Sequence, residues 1–284
     1  MIESSLPLFF TVFAGVIGGM FLCLFFPKTA IANKETLGLT IIGVGAEKLS
    51  GKSTMASYFE EKGFVELAFA GYLKRKTARH FKISAGYLHI QSLKERTWDE
   101  LKIKPDYDGL EDFISEAIYS YHLAKNTLPT LSSRYRQTRE VLWLAQEILR
   151  DKKPNSPREL LQILGTEVLR DLISEDFHTA ILQSQLIERS KRGATDFFIS
   201  DMRFKNERDF VSGLGGIKVR MFNTKLDQSS EGHGSENSLG HVNEYDYVFY
   251  NHMDADSLHR MDAFADSFSQ QNGHIDETKR MCAK

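Results

Sequence analysis

An α/β fold, a parallel sheet with helices on both faces, is the prediction from this 284-residue chain. Two observations carry it. Short apolar, β-branched or aromatic runs alternate with longer stretches of helical spacing, the order expected of strand–helix–strand units. The first run lies in LTIIGVGAEKLSGKST (39–54) and leads through a glycine-containing turn into Gly51-Lys52-Ser53-Thr54. That is the layout of a strand feeding a phosphate-binding loop, or P-loop, which opens a helix.

The chemistry of this loop follows from its residue types. Backbone N–H groups of the turn and of the helix N-terminus present positive partial charge to phosphates. Lys52 is placed to reach the β- and γ-phosphates of a nucleoside triphosphate, and the Ser53 hydroxyl to hold a magnesium ion. The first position of the GxxxxGK[ST] pattern is Ala46, with Gly45 one residue earlier. Ala46, Gly51, Lys52, Ser53 and Thr54 are therefore the candidate ATP-binding residues.

Along the body, a strand over 38–44 is followed by a helix over 53–62 and a second buried strand, FVELAFA (64–70). A basic helix over 72–82 carries Lys74, Arg75, Lys76 and Arg79. Residues 83–156 read as a mostly helical insertion over a substrate cleft, with helical patterns near 108–124 and 139–150 and punctuation at Pro105, Pro129 and Pro154. Pro157 suits the first turn of a helix that continues through LLQILGTEVLRDL at apolar spacings of three and four. A helix over 175–191 precedes the buried strand FFIS (197–200), which ends at Asp201. KNERDFVSGLGG carries a helix stopping at a glycine pair, GIKVRMF (216–222) and EYDYVFYN (244–251) are strands, and a helix over 254–268 closes the body. Residues 269–284 read as a flexible tail. Ligands of such a sheet bind at the carboxyl ends of its strands. Asp201 stands at one of these ends, where a carboxylate can order magnesium, and Arg203 two residues on can fork a phosphate.

Composition narrows the partners. A net charge of −2 leaves no basic excess for a nucleic-acid surface, and Cys23 and Cys282 cannot staple a core, which fits a reducing compartment. Residues 6–26 carry no charge over 21 positions and as a helix would reach about 31 Å, the thickness of a bilayer's hydrocarbon core. The expectation is an N-terminal hydrophobic helix that anchors the protein in a membrane, with residues 1–37 as anchor and linker. Lys28 and Lys34 on its downstream side place the body, 38–268, in the cytoplasm. A cleaved signal peptide and a non-native start, which would leave a soluble cytoplasmic protein, are the alternatives. Two weaker patterns carry nothing further: Asp106-Tyr107-Asp108-Gly109 has no NKxD partner motif, and His233 with Glu231 and Glu236 has no second histidine or cysteine at ligand spacing.

FAGYLK (69–74), PRELLQILGTEVLRD (157–171), ISDMRFKNE (199–207), GHGSENSL (232–239) and YDYVFYN (245–251) follow the loop in that order. Together they resemble the deoxynucleoside monophosphate kinase family of bacteriophages and bacteria, whose members carry similar LQxLGTE, DxRFxNE, HxSE and FDYVIxN runs. The resemblance implies a nucleoside monophosphate kinase fold that transfers the γ-phosphoryl of ATP, with Mg2+, to a deoxynucleoside monophosphate. It implies that Lys74, Arg158, Gln162, Thr166 and Arg203 contact that acceptor, and that Lys52, Asp201 and Arg203 serve catalysis with Ser53 and Asp201 at the metal. The chain departs from the family pattern at Gly71-Tyr72, Lys205 and Gly234, where proline is usual. Arg134, Arg136, Arg139 and Arg208 are the candidate lid arginines. Phosphomevalonate kinase, with a similar SDxR strand end, is the alternative within the fold, and a catalytically decayed, membrane-tethered nucleotide-binding adaptor the alternative outside it. Association of the body into a homodimer is left open.

Overall fold

The computed structural model describes residues 38–225 and 237–269. Strand β1 (Thr40–Ala46) leads into helix α1 (Lys52–Glu61), then strand β2 (Val65–Leu67) and helix α2 (Gly71–His80). Three short helices follow, α3 (Ala85–His89), α4 (Gln91–Lys94) and α5 (Trp98–Leu101), and then two long ones, α6 (Leu110–Ala124) and α7 (Leu131–Lys152). Helix α8 (Pro157–Gln162) runs straight into a π-helix (Ile163–Ile173), followed by α9 (Phe177–Lys191) and β3 (Asp196–Ile199). The chain ends with α10 (Lys205–Gly213), β4 (Ile217–Asn223), β5 (Tyr247–Asn251) and α11 (Ala255–Ser269). The five strands are all parallel in the order β2-β3-β1-β4-β5, so β1 and its loop sit at the centre.

Alternation along the strands explains the layers. Ile41 and Phe197 point to one face, where Leu182 and Leu186 of α9 and Val211 of α10 cover them. Ile42 and Phe198 point to the other, against Met55 and Phe59 of α1 and Met261 of α11. Phe59 stacks on Phe198 with ring centroids 4.6 Å apart. A separate core under the helices of 71–181 joins Phe81, Leu88, Phe113 and Ile118 to Leu164 and Leu169 of the π-helix.

Several elements depart from the sequence reading for visible reasons. Strand β2 covers three residues, and not 64–70, because the N–H groups of Phe69 and Ala70 donate to the Asp201 carboxylate and turn the chain out of the sheet. Helix α7 starts well before residue 139, where the Thr130 side chain accepts from the N–H of Ser133. The segment after Gln162 widens into a π-helix. Ile163, Leu164, Val168 and Leu169 of this helix are buried, and Leu172 and Ile173 pack against the same core.

The membrane-anchored localisation is withdrawn. Residues 6–26 lie outside the described residues, and among the described residues no helix is long and apolar enough to cross a membrane. The tail from residue 270 and most of GHGSENSL, through Glu236, also lie outside them.

Candidate active site

The phosphate loop is held by the ends of the two strands that follow it in sheet order. Asn251, closing β5, donates its amide to the Ser50 carbonyl at 2.9 Å, and Asn223, closing β4, donates to the Leu49 carbonyl at 2.8 Å. Gly51 has a φ of 92°, and a side chain there would collide with the Asn251 amide, so only glycine fits. Gly45 is required for a different reason: a Cβ there would sit 2.5 Å from the Tyr245 hydroxyl. Ala46 is buried at the strand end, and its carbonyl accepts from Lys52 Nζ at 2.8 Å. The Glu47 carbonyl accepts from the same Nζ at 2.5 Å, while the Glu47 carboxylate pairs with Arg220 at 2.9 Å. Burial pushes the Lys52 ammonium down to about 7. The Arg203 guanidinium acts in the same direction, Asp201 opposes, and Lys94 and Arg220 lower it further. Ser53 and Thr54 are exposed in the first turn of α1.

Asp201, just beyond β3, accepts the N–H of Phe69 on Oδ1 at 2.7 Å and the N–H of Ala70 on Oδ2 at 3.0 Å. Each oxygen keeps a second lone pair. The following turn is fixed by Glu207, whose Oε2 accepts the N–H groups of Arg203 at 2.6 Å and Phe204 at 3.0 Å. The Arg203 guanidinium itself has no hydrogen-bond or ion-pair partner among the described residues. Arg208 is not a lid arginine: 5 % exposed, it donates to the carbonyls of Arg203 and Ser238 and pairs with Glu244 at 2.8 Å. Arg134 lies over the Tyr119 ring, Arg136 is exposed and Arg139 is 3.9 Å from Glu111; all three stand on α7, and none lines the cleft that holds Lys52 and Arg203.

One cleft of about 830 Å3, in the range that takes small-molecule ligands, is lined by Lys52, Lys74, Arg158, Gln162, Thr166 and Arg203. All of these were expected from the sequence, as were Asp201 and residues 51–54 of the loop, which line it too. The guanidinium of Arg158 pairs with Glu95 at 2.6 Å, and Lys48 of the loop pairs with the same carboxylate at 2.9 Å. The Lys74 ammonium has no such partner among the described residues. Sequence reasoning missed Lys94, Arg170 and His178 on the cleft wall. Arg170 lies 4.2 Å over the Phe204 ring. Buried His178 bonds the Gly165 carbonyl at 3.0 Å through Nε2, which therefore carries the proton, and burial holds its pKa below the ordinary histidine value. Arg170 follows Thr166 by four residues on the same helical stretch, the available signal for it.

Cations thus meet in one gap from the loop, α2, α4, α8 and the β3–α10 turn. Only a polyanion completes such a site, and its backbone cradle and forked cations suit phosphates.

Glu207 gives a direct check on this electrostatics. It is 4 % exposed, and burial, followed by the Asp201 charge, pushes its carboxyl up to about 7 against the opposing Phe204 and Arg203 N–H groups. A raised folded-state pKa means the stabilisation is present below the unfolded value of about 4.5 and lost as pH rises through 7. Glu207→Gln keeps an oxygen acceptor without the charge. Its thermal stability relative to wild type is expected to rise between pH 5 and pH 8, by up to about 3 kcal/mol. A difference independent of pH would contradict the assignment.

Comparison with known proteins agrees with this geometry. The deoxynucleotide monophosphate kinase family model matches residues 40–261, which include every cleft residue named above. A protein of Acanthamoeba polyphaga mimivirus, provisionally described as a deoxynucleotide monophosphate kinase, is 24% identical over 246 residues, covering 82% of this chain and 100% of that protein. The chain is a phosphotransferase and belongs to the deoxynucleotide monophosphate kinase family.

Proposed function

We propose that this protein transfers the γ-phosphoryl group of ATP to a deoxynucleoside 5′-monophosphate, giving ADP and a deoxynucleoside diphosphate. The observation that carries the reading is that loop-held Lys52 and unpartnered Arg203 open into the same cleft, close enough that the Arg203 guanidinium disfavours the Lys52 charge. The loop amides and Lys52 take the donor phosphates. Lys74, Arg158, Gln162 and Thr166 take the acceptor, which leaves Arg203 between them.

No protein base is required. The attacking phosphate oxygen is already anionic at neutral pH; it forms a bond to the γ-phosphorus as the bond to the bridging oxygen breaks, and ADP leaves with that electron pair. Catalysis is then a matter of aligning two polyanions and neutralising the transferring group. A phosphate also relieves Lys52, whose ammonium has two backbone carbonyls as its hydrogen-bond partners among the described residues. Ser53 and the free lone pairs of Asp201 are the groups that would hold Mg2+, which supplies charge neutralisation across the donor phosphates. Among the described residues no cluster of three or more His, Cys, Asp or Glu side chains could hold a metal. Such a site fits an ion that draws most of its ligands from phosphate and water.

With ATP, Mg2+ and a panel of deoxynucleoside monophosphates, the protein is expected to form at least one diphosphate product. Lys52→Ala should lower the rate about 10²- to 10³-fold. Absence of any diphosphate, or turnover of mevalonate 5-phosphate in its place, would overturn the reading.

A further inference from the structure

Helix α4 is short and lines the cleft with Gln91 and Lys94, and Glu95, which caps its end, lines it too. That carboxylate receives Lys48 of the phosphate loop at 2.9 Å, Arg158 of α8 at 2.6 Å and the Gln91 amide at 2.7 Å. It therefore straps α4 to both walls, the donor loop on one side and the acceptor helix on the other. The residue presented by this strap is Lys94, which lines the cleft with Lys52 and Arg203. Its ammonium has no hydrogen-bond or ion-pair partner among the described residues.

Resting on the phosphotransfer reading above, we propose that Lys94 is the lid cation of this enzyme, a catalytic residue that contacts the phosphates bridging the two nucleotides. The charges facing it are Lys74 from α2, Arg158 from α8, Arg203 from the β3–α10 turn and Lys52 from the loop, with the Glu95 carboxylate opposing them. Burial, then the Lys74 charge, brings the Lys94 ammonium down to about 8, so the fold holds it charged among like charges. Glu95 offsets only part of that cost, and an anion in the cleft offsets more of it. The candidate lid arginines are absent from this wall: Arg208 is buried with its own partners, and Arg134, Arg136 and Arg139 stand on α7 and do not line the cleft. Lys94 fills their role, and the strap explains how a four-residue helix can place it.

The test uses the full chain with Lys94→Met and Lys94→Arg, each checked by thermal denaturation for an unchanged fold. Calorimetry with inorganic pyrophosphate should show at least a tenfold loss of affinity in Lys94→Met and recovery in Lys94→Arg. In turnover, Lys94→Met should lower kcat about 100-fold. Wild-type affinity for pyrophosphate in Lys94→Met, or an undiminished kcat, overturns the proposal. If the wild-type protein phosphorylates no monophosphate at all, the function proposed above fails, and the pyrophosphate titration still decides whether Lys94 binds phosphate.

Discussion

Everything at the carboxyl end of the sheet is arranged around one ammonium group that the protein itself does not neutralise. Lys52 leaves the loop at the centre of five parallel strands, and burial, Arg203, Lys94 and Arg220 all oppose its charge. Rigid surroundings are what make this arrangement persist. Asn223 and Asn251 fix the loop carbonyls from β4 and β5, Gly51 supplies a backbone conformation no other residue fits, and the Asp201 carboxylate clamps the turn after β2 to the end of β3. A looser site would let the cations spread into solvent, and the electrostatic drive to bind a polyanion would vanish with them.

The same residues serve the fold and the site, and this makes the short motifs intelligible. In DMRFKNER (201–208), Asp201 ends a strand by taking two backbone N–H groups, Glu207 fixes the Arg203 backbone, and Arg208 anchors the turn to the segment around Glu244. Only Arg203 is left free to act. In LQILGTEVLRD, the wide π-helix carries Thr166 and Arg170 to the cleft, and the Gly165 carbonyl receives buried His178. Arg158, Gln162, Thr166 and Arg170 follow one another at intervals of four along this helical stretch, and all four line the cleft.

Local patterns were legible in the sequence and distant pairings were not. The loop, the strand order of apolar runs and the placement of Asp201 at a strand end follow from residues within a dozen positions of one another. Arg208 looked like a mobile cation because its partner Glu244 lies 36 residues away, and no spacing rule connects them. Lys94 was hidden in a segment without strong periodicity, where only Glu95's contacts with Lys48 and Arg158 give a short helix its position. The π-helix was not legible, since Leu164, Val168 and Leu172 recur at intervals of four that an α-helix satisfies equally. The long apolar run at the N-terminus suggested a membrane anchor from composition alone, and no described helix supports it.

The central claim is that donor loop and acceptor wall share one gap, so that two nucleotides meet through their phosphates. A single molecule joining adenosine and a deoxynucleoside through five phosphates would bridge that gap. Calorimetric titration with Mg2+ present is expected to give one molecule bound per chain, with an affinity well above those of ATP and the monophosphate separately, and to exclude both. Binding no tighter than either nucleotide alone, or a monophosphate that still binds beside it, would contradict the shared cleft.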